Sequence, residues 1–185
     1  MVRLSFAVRP ADAVLSILTA MPRPRIQDVV WSRPAQWIVK LRPLGHVAAQ
    51  LQHPLIEAVQ AELAGAPAAP ARLGPATRRL AGQWLAVPVA GLDDLAAAIF
   101  LATEPLVPVT HPQPFQAHLV LARGRAPAHL AGVELRAEWT VTEVLLVADR
   151  SAPHRPRLDD LGVIRLTGRR AGDREPGTAS ATVDR

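Results

Sequence analysis

The chain has no cysteine among its 185 residues. Disulfide bonds, thiolate nucleophiles and cysteine-ligated zinc sites are therefore excluded, and the composition is compatible with a reducing compartment. Aromatic residues are also scarce, at 4% of the chain. Trp37 and Trp139 are expected in the core, whereas Trp31 and Trp84 are core candidates for which stacking on a base is the alternative.

Long hydrophobic runs are missing as well. The longest apolar stretches, residues 13–21 and 95–103, are about half as long as the ~20 residues that span a bilayer. Arg9 and Asp12 interrupt the region where a signal peptide would need continuous apolar residues. No membrane contact is expected, and the cytoplasm is the expected location.

Lysine occurs only once, as Lys40, while all the other cationic side chains are arginines. Because arginine, alanine and proline are abundant along the whole chain, coding bias explains the scarcity of lysine more simply than a functional requirement does. The formal net charge of +5 suits a phosphate-bearing partner, but the same charge on a solvated surface serves solubility alone. The charge leaves both interpretations open.

The local motifs of several enzyme classes are absent. The chain has no P-loop, no Gly-x-Gly-x-x-Gly, no Gly-x-Ser-x-Gly and no His-Glu-x-x-His, which are the motifs of nucleotide-binding proteins, serine hydrolases and zinc proteases. The six histidines show no spacing typical of metal ligands. They are His46, His53, His111, His118, His129 and His154. No metal ion and no other cofactor is expected.

The order of predicted elements indicates an α+β fold in one domain, residues 1–168. Strands are expected near residues 2–8, 29–31, 37–42, 83–89, 118–123, 138–147 and 161–166, and helices after Pro10, Pro54 and Gly91. The second and third strands would form a hairpin or two nearby strands. A strand–helix–strands pattern occurs twice, which favours antiparallel sheets with helices on one side. Residues 169–185 lack a hydrophobic anchor and are predicted to be a disordered tail.

Two of the predicted strands have similar surroundings. The segments "RPAQWIVKLRPLG" (33–45) and "QPFQAHLVLARGR" (113–125) each place an apolar strand after a proline-containing lead and end it in arginine. Ile38 and His118 occupy equivalent positions in them. The two halves of the chain therefore each contribute one such strand.

Alternation along the first of these strands separates its residues into two faces. Ile38, Lys40 and Arg42 are expected on one face, opposite an apolar face. That apolar face consists of Trp37, Val39 and Leu41. A lysine pointing into the core would be costly, so the face of Lys40 is expected to be open.

The pattern from about residue 2 to 166 resembles the two-histidine phosphoesterase superfamily, and within it RNA 2′,3′-cyclic phosphodiesterase, also called 2′-5′ RNA ligase. The resemblance is carried by "RLSFAVRP", "VVWSRPAQWIVKLRPLG", "PFQAHLVLAR" and "EWTVTEVLLVADRS…LDDLGVIRL". It implies two pseudo-symmetric lobes of antiparallel sheet with flanking helices, and a central cleft that receives one His-x-Thr or His-x-Ser strand from each lobe. One histidine would act as general base on water and the other as general acid on the leaving ribose oxygen, while the hydroxyls hold phosphoryl oxygens.

Three of the four motif positions differ in this chain. Ile38 and Lys40 stand where the resemblance implies the first histidine and threonine. The second motif keeps its histidine as His118 but has Val120 in place of its threonine. By this resemblance His118 is the proton acceptor, and the proton donor is missing.

Phosphate contacts are expected from Lys40, through its three ammonium donors, and from Arg42 and Arg123, whose guanidinium groups match phosphate oxygens. For Lys40 the equal alternative to phosphate binding is a side chain that reaches solvent at a strand edge. For each arginine the alternative is an exposed surface position without a ligand. His111 is an outside candidate for a second histidine in the cleft.

The main hypothesis is a protein, expected to be a monomer, that binds an RNA end or a cyclic nucleotide phosphate with catalysis lost or weakened. Two alternatives stay open. One is an active cyclic phosphodiesterase that uses His118 as base, with Lys40 and an arginine as electrostatic support. The other is a non-catalytic module that binds another partner through the cleft.

Overall fold

The structure is a computed structural model that describes residues 1–81, 83–109, 114–124, 128–151 and 157–168. The described residues form ten strands and three α-helices, joined by loops and short 3₁₀ turns. The strands are β1 (Val2–Val8), β2 (Val29–Trp31), β3 (Val39–Val47), β4 (Ala69–Leu73), β5 (Arg78–Leu80), β6 (Trp84–Ala90), β7 (His118–Gly124), β8 (Ala137–Val141), β9 (Glu143–Asp149) and β10 (Leu158–Arg165). The helices are α1 (Asp12–Ala20), α2 (Gln52–Glu62) and α3 (Asp93–Thr103). Neighbouring strands pair antiparallel, which confirms the predicted α+β class.

The strands form one curled sheet in the order β10-β9-β1-β3-β7-β6-β4-β8, with β2 beside β7 and β5 beside β6. Strands β3 and β7 lie in the middle and divide the sheet into two lobes. Counted outwards from the middle, the lobes are β3-β1-β9-β10 and β7-β6-β4-β8. The two strands singled out in the sequence are therefore neighbours at the centre of a half-barrel.

The helices pack on one side of this sheet, called the helix face below. Their buried residues belong to the same core as Leu4, Phe6 and Val8 of β1. These helix residues are Val14, Leu18, Leu55, Val59, Leu95 and Ile99. The opposite side, the open face, carries a small apolar cluster of Ala7, Ile38, Leu145 and Val147. Since side chains alternate along a strand, Arg3 and Ser5 lie on the open face together with Ala7.

Strand β3 is longer than predicted and is interrupted by irregular pairing with β1. Its register shifts between Leu4 and Ser5 and again between Phe6 and Ala7. At the second shift, Ala7 lies opposite Lys40 and Phe6 opposite Arg42, so Leu41 is an extra residue. A bulge of this kind moves the residues beyond it to the other face of the sheet.

The hairpin interpretation of residues 29–42 is wrong. Both β2 and β3 pair antiparallel with β7, so they run in the same direction and lie one after the other along that strand. A short 3₁₀ turn, Pro34–Gln36, connects them. The structure has the other predicted arrangement, two nearby strands.

The single strand predicted over residues 138–147 is also wrong. The chain changes from β8 to β9 at Thr142, and the two strands lie in different lobes, β8 beside β4 and β9 beside β1. The buried positions change phase at this point, from Trp139 and Val141 to Val144 and Leu146. One regular strand cannot send both pairs to the same core, because alternation has a period of two.

The predicted tail, residues 169–185, lies outside the described residues, and the prediction of one domain over residues 1–168 stays a prediction. Among the helices that the structure describes, none has the length and apolarity needed to cross a membrane. Trp37 and Trp139 are buried as expected. Trp31 packs against the core with part of its ring exposed.

Candidate functional site

The candidate site lies on the open face where β3 and β7 run side by side. Val39 pairs with Leu119, and both side chains are fully buried in the core of the helix face. Alternation in an antiparallel pair then places the flanking residues on the open face. These are Lys40 across from His118, and Ile38 across from Val120. The four motif positions of the sequence are therefore brought together.

Lys40 and His118 belong to a row of residues that crosses the sheet. Pro88 of β6 lies opposite His118, and Ala7 of β1 lies opposite Lys40. Leu145 of β9 extends the row beyond Ala7. Because the other members of the row are apolar, its polar chemistry is concentrated in Lys40 and His118.

The ammonium of Lys40 lies in a positively charged environment. Burial lowers the pKa of Lys40 below its ordinary value, and the charges of Arg3 and Arg123 lower it further, while Asp149 acts in the opposite direction. The structure gives this ammonium no hydrogen-bond or ion-pair partner within the residues it describes. An excess of positive charge with unused donors favours a bound anion.

Asp149 is the carboxylate of this cluster. Its Oδ1 accepts a hydrogen bond from the backbone N–H of Ser151 at 3.1 Å. Burial raises the pKa of Asp149, but the hydrogen bonds from Ser151 and the charges of Lys40 and Arg3 outweigh burial, so the pKa is lowered overall. Asp149 is therefore ionised at neutral pH and compensates part of the positive charge.

The ring of His118 is held in one orientation by its own backbone segment. Its Nδ1 lies 2.9 Å from the carbonyl oxygen of Gln116. A carbonyl can only accept, so Nδ1 carries the hydrogen, and Nε2 of the neutral ring keeps its lone pair. This is the tautomer that a general base acting through Nε2 requires.

Arg123 also lies on the open face, in contact with Trp84. Strand β7 has a bulge at Leu121, because Ala86 pairs with Val120 and Leu85 pairs with Ala122. Trp84 lies opposite Arg123, whose guanidinium is 5.3 Å from the centre of the indole ring. Trp84 is thus only half-buried, and its ring supports a cation of the site.

The other two motif positions, Ile38 and Val120, have aliphatic side chains. Ile38 is buried, at 7% exposure, and packs with Ala7, Leu145 and Val147. Val120 is half-buried across from it. Neither side chain has a proton to give or a lone pair to share, so the place where the resemblance implies the proton donor has no acid–base chemistry of its own.

Arg42 lies on the helix face, which corrects the expectation that it shares a face with Lys40. The bulge at Leu41 turns its side chain towards α3, where it is 4% exposed. Its guanidinium donates to the carbonyl oxygens of Phe100, at 2.7 Å, and Val107, at 2.5 Å, and to Thr103 Oγ1. It also stacks on the Phe100 ring, 4.7 Å from its centre. Arg42 therefore binds the C-terminal end of α3 and is turned away from the open face.

Sequence reasoning missed Arg3 and Asp149. They lie opposite each other in the pairing of β1 with β9, near the two ends of the chain. The alternation of β1 assigns Arg3 to the face of Ala7, but nothing in the sequence shows which strand lies beside β1. His111 and Arg125 lie outside the described residues. Within the described residues there is no group of three or more potential metal ligands.

Comparisons by sequence find no relative: no family model matches the chain, and no curated protein does. Solved structures do match. The protein TT0787 of Thermus thermophilus is 25% identical, with a TM-score of 0.76, over 90% of this chain and 98% of that one.

Two further matches carry descriptive names. E. coli LigT complexed with 3′-AMP is 21% identical, with a TM-score of 0.72, over 90% of this chain and 98% of that one. A protein described as a phosphoesterase is 22% identical, with a TM-score of 0.72, over 90% and 99%. The chain therefore has the fold of LigT and of this phosphoesterase, and the resemblance inferred from the sequence is supported at the level of the fold.

Proposed function

We propose that the open face between β3 and β7 binds the phosphate of an RNA end or of a cyclic nucleotide, and that hydrolysis of the phosphodiester at this site is lost or much weakened. The observation that carries the proposal is the position of Lys40 across from His118, where the charges of Arg3 and Arg123 act on its ammonium and Asp149 is the opposing carboxylate.

Binding is supported by the donors on this face. An ammonium supplies three donors, and a guanidinium pairs with two phosphate oxygens at once. The apolar cluster that includes Ile38 lowers the local dielectric constant, which strengthens these interactions. E. coli LigT, which shares the fold, forms complexes with 3′-AMP, ATP and NADP+, and all three ligands carry phosphate esters.

Weak catalysis follows from the missing proton donor. Opening a cyclic phosphate with water requires that one group takes a proton from the water and that another gives a proton to the ribose oxygen as its bond to phosphorus breaks. His118 Nε2 can take the first proton, but Ile38 has none to give. Loss of a positioned acid typically costs ~10²–10⁴-fold in rate.

A second candidate function is an active phosphodiesterase in which Lys40 replaces the missing acid. It is favoured by one observation: burial and two arginines lower the pKa of Lys40, which brings the ammonium closer to the range in which it gives a proton at neutral pH. Lys40 is also across from His118, so the two groups would act on one phosphate. In this candidate Arg123 stabilises the developing charge.

The first experiment compares the wild-type chain with a variant whose motifs are restored by Ile38→His, Lys40→Thr and Val120→Thr. We expect the wild type to bind an RNA oligonucleotide with a 2′,3′-cyclic phosphate end and to open the ring barely above background. The restored variant should open it about 10²-fold faster or more, because it regains both the acid and the hydroxyls. Product formation is measured by anion-exchange chromatography, and folding is checked by circular dichroism.

The single variants His118→Ala and Lys40→Met separate the two candidates. Robust turnover by the wild type that both substitutions abolish would reject the main proposal and support Lys40 as the acid. Turnover that only His118→Ala abolishes would reject both roles of Lys40. If the wild type binds no phosphate-bearing RNA even at low salt, the chain is a module for another kind of partner.

A further inference from the structure

Around Lys40, positive charges outnumber negative ones. Among the described groups whose charges act on Lys40 there are two arginines, Arg3 and Arg123, and one acid, Asp149. Strand β7 runs parallel to β1, since each pairs antiparallel with β3. Arg3 therefore lies on one side of the Lys40–His118 row along the strands, and Arg123 lies on the other. A group bound at this row meets positive charge from both directions.

Lys40 stands where the resemblance implies a threonine, and this difference changes how strongly the site responds to the charge of a bound phosphate. A threonine hydroxyl both donates and accepts, so it suits charged and uncharged phosphoryl oxygens alike. An ammonium only donates, and its attraction grows with each negative charge on the ligand. Ile38 on the same face supplies no proton that would help to open a cyclic phosphate.

We propose that this face selects a terminal phosphate monoester of a nucleotide strand over a phosphodiester such as the 2′,3′-cyclic phosphate. A monoester carries a charge of about −1.5 to −2 at neutral pH, whereas a diester carries a single negative charge. The inference rests on the proposed function, because it names the form of phosphate end that the same site binds. The protein then holds the kind of end that hydrolysis of a cyclic phosphate produces.

Burial of Lys40 supports the same conclusion. Its half-buried ammonium keeps hydrogen-bond donors without acceptors in the described part of the chain, and the adjacent floor of Ala7, Ile38 and Leu145 is apolar. Ion pairs gain strength where water is partly excluded. The second negative charge of a monoester thus contributes more to the binding free energy here than it would on an exposed arginine surface.

The experiment uses four RNA oligonucleotides of one sequence that differ only at the 3′ end: phosphate, methyl phosphate, 2′,3′-cyclic phosphate and hydroxyl. Their dissociation constants are measured with the full chain at about pH 8, where the monoester is fully dianionic because its second pKa is about 6. We expect the 3′-phosphate to bind about tenfold more tightly than the methyl phosphate and the cyclic phosphate. Both diesters should bind more tightly than the hydroxyl end.

Two variants test the role of Lys40. Lys40→Met should remove most of the tenfold preference between the phosphate and methyl phosphate ends. Arg136→Met is the matched control, because it removes one positive charge from an exposed position just before β8, at the end of the sheet. It should leave the preference unchanged. Circular dichroism shows whether each variant is folded.

The outcomes distinguish this inference from the proposed function. Equal binding of the phosphate and methyl phosphate ends, both above the hydroxyl end, would overturn the inference and leave the proposed function standing. A preference that survives Lys40→Met would also overturn it. Equal binding of all four oligonucleotides would overturn the proposed function itself.

Discussion

Lys40 and Arg42 are separated by a single residue, yet their side chains have different hydrogen-bond surroundings. The guanidinium of Arg42 is surrounded by acceptors from α3 and the segment after it. The ammonium of Lys40 is half-buried next to two further cations. The hydrogen bonds of Arg42 thus stabilise the contact with α3, while the charge of Lys40 costs stability and is available for a ligand.

Arg42→Met should lower the free energy of unfolding by about 1–3 kcal/mol, because buried acceptors lose their donors. Lys40→Met should raise the free energy of unfolding. The sign follows from the lowered pKa of Lys40: below that pKa both states are protonated and the folded state bears the cost of a charge in unfavourable surroundings. Below the lowered pKa this cost is fully present, and methionine removes it.

Urea unfolding at neutral pH, followed by circular dichroism, measures both changes. The difference between wild type and Lys40→Met should shrink as the pH rises towards the ordinary lysine pKa of about 10.4, because the wild type then loses the charge as well. A Lys40→Met variant that is less stable than the wild type at neutral pH contradicts this account of the cluster.

At the scale of elements, β3 and β7 carry the same irregularity. Each has an extra residue one position after the motif, Leu41 in β3 and Leu121 in β7. Beyond the bulge the side chains change faces, so Arg42 and Ala122 both point to the helix face, and Arg123 returns to the open face. The two arginines that follow the motifs look alike in the sequence but are offset by one residue, which is why only Arg123 joins the site.

The end of β7 depends on Gly124, whose backbone has φ +109. A Cβ at this position would overlap the backbone carbonyl of Asp28, just before β2. Gly124→Ala should therefore separate β2 from β7 and lower the free energy of unfolding by about 2 kcal/mol or more. Gly45→Ala is the control, because Gly45 has φ +73 and open space around the same position, so it should cost only about 1 kcal/mol.

Urea unfolding of both alanine variants tests this difference, and hydrogen exchange of the β2 amides localises it. We expect faster exchange in Val29–Trp31 for Gly124→Ala alone. Equal costs for the two substitutions would mean that left-handed strain, and not the close approach of Asp28, decides the effect at Gly124.

For the whole molecule, the net charge of +5 does not by itself locate a binding surface. Several arginines are already paired on the surface, among them Arg9 with Asp160 at 2.7 Å and Arg157 with Asp159 at 2.8 Å. Around Lys40, by contrast, the charges of two arginines act together with that of one carboxylate, Asp149, among the described groups. Specific phosphate binding should therefore involve only a few cationic side chains, and their number can be measured.

Salt dependence measures that number. For a single-stranded RNA, the logarithm of the binding constant falls with the logarithm of salt concentration by about 0.7 for each phosphate contact. Three contacts, from Arg3, Lys40 and Arg123, predict a slope of about −2. Arg3→Ala should reduce the slope by about 0.7, whereas Arg136→Ala should not change it.

The slope is obtained from binding titrations over a series of salt concentrations. A slope near zero would argue against electrostatic binding of any kind. A slope much steeper than −2 that responds to Arg136→Ala would mean that the arginine-rich surface as a whole binds RNA, as expected for a protein without a defined site.

Local chemistry of the sequence was sufficient to predict much of the fold. Alternating apolar residues identified β1, apolar stretches indicated β6 and β7, proline and glycine marked the ends of the helices, and the similarity of two segments singled out His118 and Lys40. These predictions succeeded because periodicity and turn chemistry depend on neighbouring residues. The same reasoning failed at Thr142, where one apolar stretch divides into β8 and β9.

Only the tertiary structure decided how the site is composed. Strand pairing placed Arg3 and Asp149 near Lys40, and the bulge at Leu41 turned Arg42 away from it. Register and bulges are set by the partner strand, which can lie anywhere in the chain, and a shift of one residue reverses the face of every side chain beyond it. The sequence by itself singled out Lys40, His118 and Arg123 as candidates, and the folded sheet determined which charged groups lie beside them.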